Sequence, residues 1–138
     1  MHPAGFATEG QGWRLALEAG RHPFAVLIGG DGWAAELSLA EAAELRRGLL
    51  ELIEQHAAIA GQLMAEENLE LDLERGPWWL GLTGDRHSWA LRFVLAPADG
   101  QRGLEGSWPP AASSALAQAL APLVLEPALC ETTEGLGG

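Results

Sequence analysis

Lysine is absent from the 138 residues: all eight basic side chains are arginine, set against nineteen aspartates and glutamates. The formal net charge of -11 removes long-range attraction toward polyanions, so bulk electrostatics oppose both nucleic acid and anionic membrane. Cysteine is nearly absent too. Cys130 stands alone near the C-terminus, which excludes a disulfide framework and suits a reducing cytosol. No apolar run approaches the roughly 20 residues that a membrane helix needs. The opening MHPAGFATEGQGW lacks the basic and apolar regions of a signal peptide. A cytoplasmic protein with no membrane partner is expected.

Signatures of catalysis and metal binding are missing as well. His2, His22, His56 and His87 are scattered, with no H-E-x-x-H and no paired cysteines. His56 falls on an apolar stripe, where a satisfied core histidine is the expected role. Glu70, Asp72 and Glu74 would stand about 7 Å apart on one strand face. Such spacing suits a hard cation, but a solvated or arginine-paired face is the simpler expectation. The GDRHS segment holds Asp85, His87 and Ser88, yet neighbours in a tight turn do not reach triad geometry. No G-x-S-x-G occurs. The glycines of EGQGW and GGDGW precede strands, so no helix N-terminus awaits a phosphate. The chain reads as a non-enzyme with no catalytic residue, no metal ligand and no cofactor.

What is present is a pattern that changes period twice. From Gly12 to Ser38 the residues alternate: Trp13, Leu15 and Leu17 share one face against Arg14, Ala16 and Glu18. PFAVLIGG follows the AGRHP turn, and GGDG leads into WAAELS, giving three strands joined by hairpins. At Ser38 the period becomes helical. SLAE is a capping box, with Ser38 and Glu41 exchanging side-chain and amide hydrogen bonds. Leu45, Leu49, Leu52, Ile53, His56, Ile59, Ala60 and Leu63 then recur at helical spacing, opposite Glu44, Arg47, Glu51, Glu54 and Gln55. About 26 residues would give a helix of about 39 Å, enough to cross a sheet.

Alternation returns in NLELDLERG and continues through WWLGLTG, HSWALRFVLAP and RGLEGSW, with TGDRH and PADGQ as turns. PPAASSALAQALAPL predicts a second, shorter helix, with proline tolerated at its start and Pro122 limiting its end. The expected fold class is α+β: one antiparallel sheet of about seven strands, in the order β-β-β-α-β-β-β-β-α, with the long helix packed across it. One domain spans residues 1–138, with 1–8 and 126–138 expected to be weakly ordered. The halves on either side of the long helix read as loose structural repeats.

Adjacent residues of a strand point to opposite faces, so Trp78 and Trp79 cannot share a core. Leu69, Leu71, Leu73, Trp78, Leu80, Leu82, Trp89, Leu91, Phe93 and Leu95 fall on one face. Glu70, Asp72, Glu74, Trp79, Gly81, Thr83, Ala90, Arg92 and Val94 fall on the other. Trp79 is therefore the tryptophan that looks away from the helix. Three readings of its face compete: a cover of tail or second helix, a subunit interface, or a platform for a ligand or stacked base.

EGQGWRL, PFAVLIGGDGWAAELS, WWLGL, ALRFVL and EGSWPP, arranged in this order around one long helix, closely resemble a small uncharacterised cyanobacterial family, the domain of unknown function eighteen-eighteen. The resemblance runs from about Glu9 to Leu123. It implies a fold similar to single-stranded-DNA-binding transcriptional regulators such as the plant Whirly proteins. It carries no established functional residues. Relatives that bind single strands use basic sheets or loops, and this chain departs from that pattern. The expected role is a binding module that meets a protein or small-molecule partner, or a second copy of itself, through its sheet face; the alternative is a single-stranded nucleic-acid-binding regulator. Trp79, Arg92, Arg14, Arg86 and Arg102 are the candidate binding residues, and what separates the two roles is whether the arginines converge beside Trp79.

Overall fold

The alternation of Trp13, Leu15 and Leu17 with Arg14, Ala16 and Glu18 builds the second strand of a four-stranded antiparallel meander. The computed structural model describes residues 5–97 and 102–125. Its first sheet contains β1 (Gly5–Gly10), β2 (Trp13–Glu18), β3 (Val26–Gly30) and β4 (Trp33–Leu37), side by side in chain order. A long helix, α1 (Leu39–Ala60), leads to a second meander of β5 (Leu69–Arg75), β6 (Trp78–Gly84), β7 (Trp89–Leu95) and β8 (Leu104–Trp108), again in chain order. The helix α2 (Pro110–Leu120) closes the second half. No helix among the described residues is long and apolar enough to cross a membrane.

The α+β class is as expected, but the single sheet of about seven strands is not: among the described residues, eight strands form two sheets of four. Alternation along a strand says which side chains share a face. It does not say which strand pairs with which across a 22-residue helix. The extra strand is β1. Residues 5–8, expected to be weakly ordered, form its first part and pair with β2 from Gly5↔Glu18 to Gly10↔Trp13. GFATEG hides its strand because it holds two glycines and one large apolar side chain. The turn betrays it. Gly10-Gln11-Gly12-Trp13 repeats the plan of Gly30-Asp31-Gly32-Trp33, with Gly12 and Gly32 at φ of 84° and 83°. In both hairpins the indole lies across the paired glycine, Gly10 or Gly30, where a Cβ would collide with it.

The helix α1 begins as the sequence predicts. The Ser38 hydroxyl accepts from the Glu41 amide at 3.1 Å, and the Ser38 amide donates to Glu41 Oε1 at 2.9 Å. It runs 22 residues rather than about 26, because Gly61 ends it and leaves Leu63 beyond the last turn. Its buried stripe of Ala42, Leu45, Leu49, Leu52 and His56 packs on β5 and β6. Gly48 allows the close approach: a Cβ there would strike the Leu80 side chain. The helix α2 packs on β7 and reaches across to β2 of the other sheet.

The two sheets meet through aromatic rings. Trp33 of β4 lies 5.5 Å from Phe93 and 5.3 Å from Trp108, centroid to centroid, and Trp78 meets Phe93 edge-on at 5.5 Å. Both fully buried indoles have their N–H groups satisfied: Trp78 donates to the Glu41 carbonyl and Trp108 to the Gly29 carbonyl, each at 2.9 Å. Trp89, expected in the core, is only half-buried at the start of β7, with its ring 6.3 Å from His56. His56 is buried, and its Nε2 stands 2.8 Å from the Asp85 carbonyl. The sheet-facing helix side thus accounts for its one polar member.

Candidate functional site

The register of the second sheet sets its outer face in rows. Glu74, Trp79, Val94 and Glu105 form one row across β5 to β8. Asp72, Gly81, Arg92 and Ser107 form the next, and Glu70, Thr83 and Ala90 a third. Trp78 is 1% exposed on the inner face while its neighbour Trp79 is half-buried on the outer one. That divides the two tryptophans as the strand pattern predicts. Gly81 explains how Trp79 lies: two residues along the same strand, it has no side chain, and the indole settles over it so closely that a Cβ would come within 2.6 Å of the ring. Arg92, paired across from Gly81, places its guanidinium carbon 5.3 Å from the indole centroid.

The rest of this face is open among the described residues. Glu70, Asp72, Glu74, Thr83, Arg92, Val94, Glu105 and Ser107 are all exposed. The helix α2 does not cover it; Ser113 on that helix donates to the Trp108 carbonyl and accepts from the Leu91 amide on the buried side of the sheet. The tail from residue 126 onward lies outside the described residues. Glu70, Asp72, Glu74 and Glu105 form no ion pair among the described residues. Five charges therefore face solvent here, four of them negative. No group of three or more histidine, cysteine, aspartate or glutamate side chains among the described residues could hold a metal ion.

Of the candidate arginines, only Arg92 joins Trp79. Arg14 stands on β2 of the other sheet, 3.9 Å from Glu9. Arg86 sits exposed in the turn between β6 and β7, at the opposite end of β6 from Trp79. Arg102 is a structural clamp. It donates to both Glu41 oxygens at 2.8 and 3.0 Å and to the Glu36 carbonyl at 2.8 Å, and it lies 4.3 Å from the Phe24 ring centre. It thereby ties the approach to β8 to the end of β4 and the first turn of α1. Burial alone would raise the Glu41 pKa. Hydrogen bonds from Arg102 and from the Ser38 amide, with the arginine's charge, outweigh that and hold the carboxyl below its usual range. Asp85 is depressed as well, chiefly because its carboxylate accepts from the amides of His87 and Ser88 at 2.8 and 3.0 Å. The GDRHS residues are therefore held as a turn.

Two features escape residue-by-residue reading. Glu105 and Ser107 join the outer face only because β8 pairs with β7. On the first sheet, an open hollow of about 440 Å³ lies over Ala7, Ala16 and Leu27, walled by Phe24 and Arg21. Its floor requires β1, and its cation is committed to Glu36. Beyond apolar contact it offers a prospective ligand the exposed Glu18 carboxylate on its wall.

The family model for a domain of unknown function, DUF1818, matches residues 8–123. A crystal structure of a protein of unknown function from Prochlorococcus sp. NATL2A, described as a member of the DUF155 family, is 38% identical. It superposes with a TM-score of 0.79 over 83% of this chain and 95% of that one. No curated protein matches the sequence.

Proposed function

The chain belongs to the DUF1818 family, and we propose that it is a non-catalytic cytoplasmic module that binds a partner protein through the outer face of its second sheet. One observation carries this reading: Trp79 lies flat on an open sheet face, under Arg92, among four carboxylates with no ion pair. A half-buried indole offers a large rigid contact, the kind that anchors protein interfaces. The surrounding carboxylates favour a cationic partner and discourage a second copy of the same face. The side chains around Trp79 are exposed on an open sheet surface, whereas small-molecule sites are concave and enclosing, so a protein fits better than a small ligand.

Two four-stranded meanders, each closed by a helix, support a Whirly-like architecture. The charge on the open face opposes the nucleic-acid role found in such regulators. The test compares the wild type with Trp79→Ala, using proteins captured from nuclease-treated cyanobacterial lysate and mixed-sequence single-stranded DNA. A captured protein should be lost with Trp79→Ala. DNA should bind no tighter than a dissociation constant of roughly 10⁻⁴ M near physiological salt. Submicromolar DNA binding that weakens with salt and vanishes in Trp79→Ala would overturn the reading in favour of a single-strand-binding regulator.

A further inference from the structure

The strand β5 is an edge of the second sheet, paired on one side with β6 and on the other with no strand among the described residues. It is seven residues long and stays in register with β6 along its whole length. A regular free edge of this kind is a template for another strand. Its two faces tell what that strand would carry. Inward, the edge leaves Leu69, Leu71 and Leu73 only half-buried, whereas the β6 residues beneath α1, Leu80 and Leu82, are fully buried. Outward, Glu70, Asp72 and Glu74 are exposed and have no ion-pair partner among the described residues.

We propose that the free edge of β5 accepts an added strand from a partner protein, one that alternates apolar side chains with arginine or lysine. The added apolar residues extend the leucine face and complete its burial. In directly opposed pairs the Cβ atoms of the added cationic residues come to about 5 Å from those of the carboxylates, within reach of an ion pair. Backbone hydrogen bonds supply affinity and the alternating pockets supply selectivity, as in other strand-addition complexes. A second copy of this chain is the wrong occupant: pairing β5 antiparallel to β5 sets carboxylates against carboxylates, and pairing it parallel turns one copy over, so that carboxylates meet the leucine face. The inference rests on the docking-face reading for the sign of the charge, and it does not depend on Trp79.

The test uses the full-length protein and a soluble ten-residue peptide alternating valine with lysine. A second peptide of the same sequence is N-methylated at every interior amide, which keeps its charge and removes its donors. Calorimetry and hydrogen exchange are read on the wild type and on Trp79→Ala. The unmodified peptide should bind both proteins alike and slow exchange at the β5 amides that point away from β6. Methylation should weaken binding by roughly tenfold or more, since it deletes the hydrogen bonds on which strand addition depends. Equal binding of the two peptides overturns the edge and leaves the docking face standing. Absence of binding by either peptide at millimolar concentration overturns the edge as well. If instead the edge binds as stated while Trp79→Ala still captures its lysate protein, the docking-face reading fails and the edge survives.

Discussion

The two sheets share a plan, four antiparallel strands in chain order followed by a helix, and they differ on the side turned away from the core. Outside the first sheet, Ala7, Ala16, Leu27, Gly29 and Ala34 make a surface of small and aliphatic residues with no aromatic ring among them. Of its charges, Arg14 pairs with Glu9 and Arg21 with Glu36, which leaves Glu18 as the one carboxylate of this face with no ion pair among the described residues. Outside the second sheet, Trp79 and Arg92 stand among four carboxylates that have no ion pair among the described residues. Inner faces must bury leucine and tryptophan against the other half, so their pattern is held by stability. Outer faces carry no such obligation. A difference confined to them is the ground on which the proposed docking face rests.

The strongest way to break that comparison uses the two adjacent tryptophans. Trp78→Ala empties a buried site and should cost about 3–5 kcal/mol in denaturant unfolding. Trp79→Ala removes a half-buried ring from an open face and should cost about 1 kcal/mol or less. Equal costs would mean that the outer face is packed.

A middle-sized effect sharpens the junction of the two halves. Glu41→Gln weakens the clamp to Arg102 and should destabilise by about 2 kcal/mol at neutral pH. The folded-state pKa of Glu41 is lowered from 4.5, so its charge stabilises the fold above that value. The contribution is lost as pH falls from about 4.5 through the folded-state value, where both folded and unfolded forms carry the proton. Unfolding curves of the wild type and Glu41→Gln should therefore converge as acid is added. Curves that stay parallel would show that the carboxylate's charge is not what the clamp uses.

The smallest effect compares the helix starts. Ser38→Ala removes a hydroxyl that accepts from an amide, at a cost of about 1 kcal/mol. At α2 the cap position is Pro109, which makes no side-chain hydrogen bond. Pro109→Ala should shift the melting midpoint less than Ser38→Ala does.

How much of this was written in the sequence varies by element. The face of every inner residue from Leu71 to Leu95 follows from alternation, and SLAE places the start of α1. These are local rules, and they held. The division into two sheets, the pairing of β1, and the fate of Arg102 depend on residues far apart in the chain. Arg102 meets Glu41 across 61 positions, and no spacing rule announces that. The candidate face was legible in its centre, at Trp79 and Arg92, because both lie on strands of clear period. Its edge was not, since Leu69 and Leu80 look equally buried until one knows which strand is last in the sheet.

One packing detail bears on how the chain comes to be folded at all. The helix that follows the first sheet lies on the second, while the helix that follows the second reaches back to β2 of the first. Neither half owns a complete interior, although each is built of hairpins between sequence neighbours. The hairpins can therefore form early and locally, and the packing of both helices across the two halves locks them late and together. A chain cut between Gly61 and Asn68 should yield two fragments that remain molten apart and regain structure only when mixed, a complementation that a pair of autonomous halves would not need.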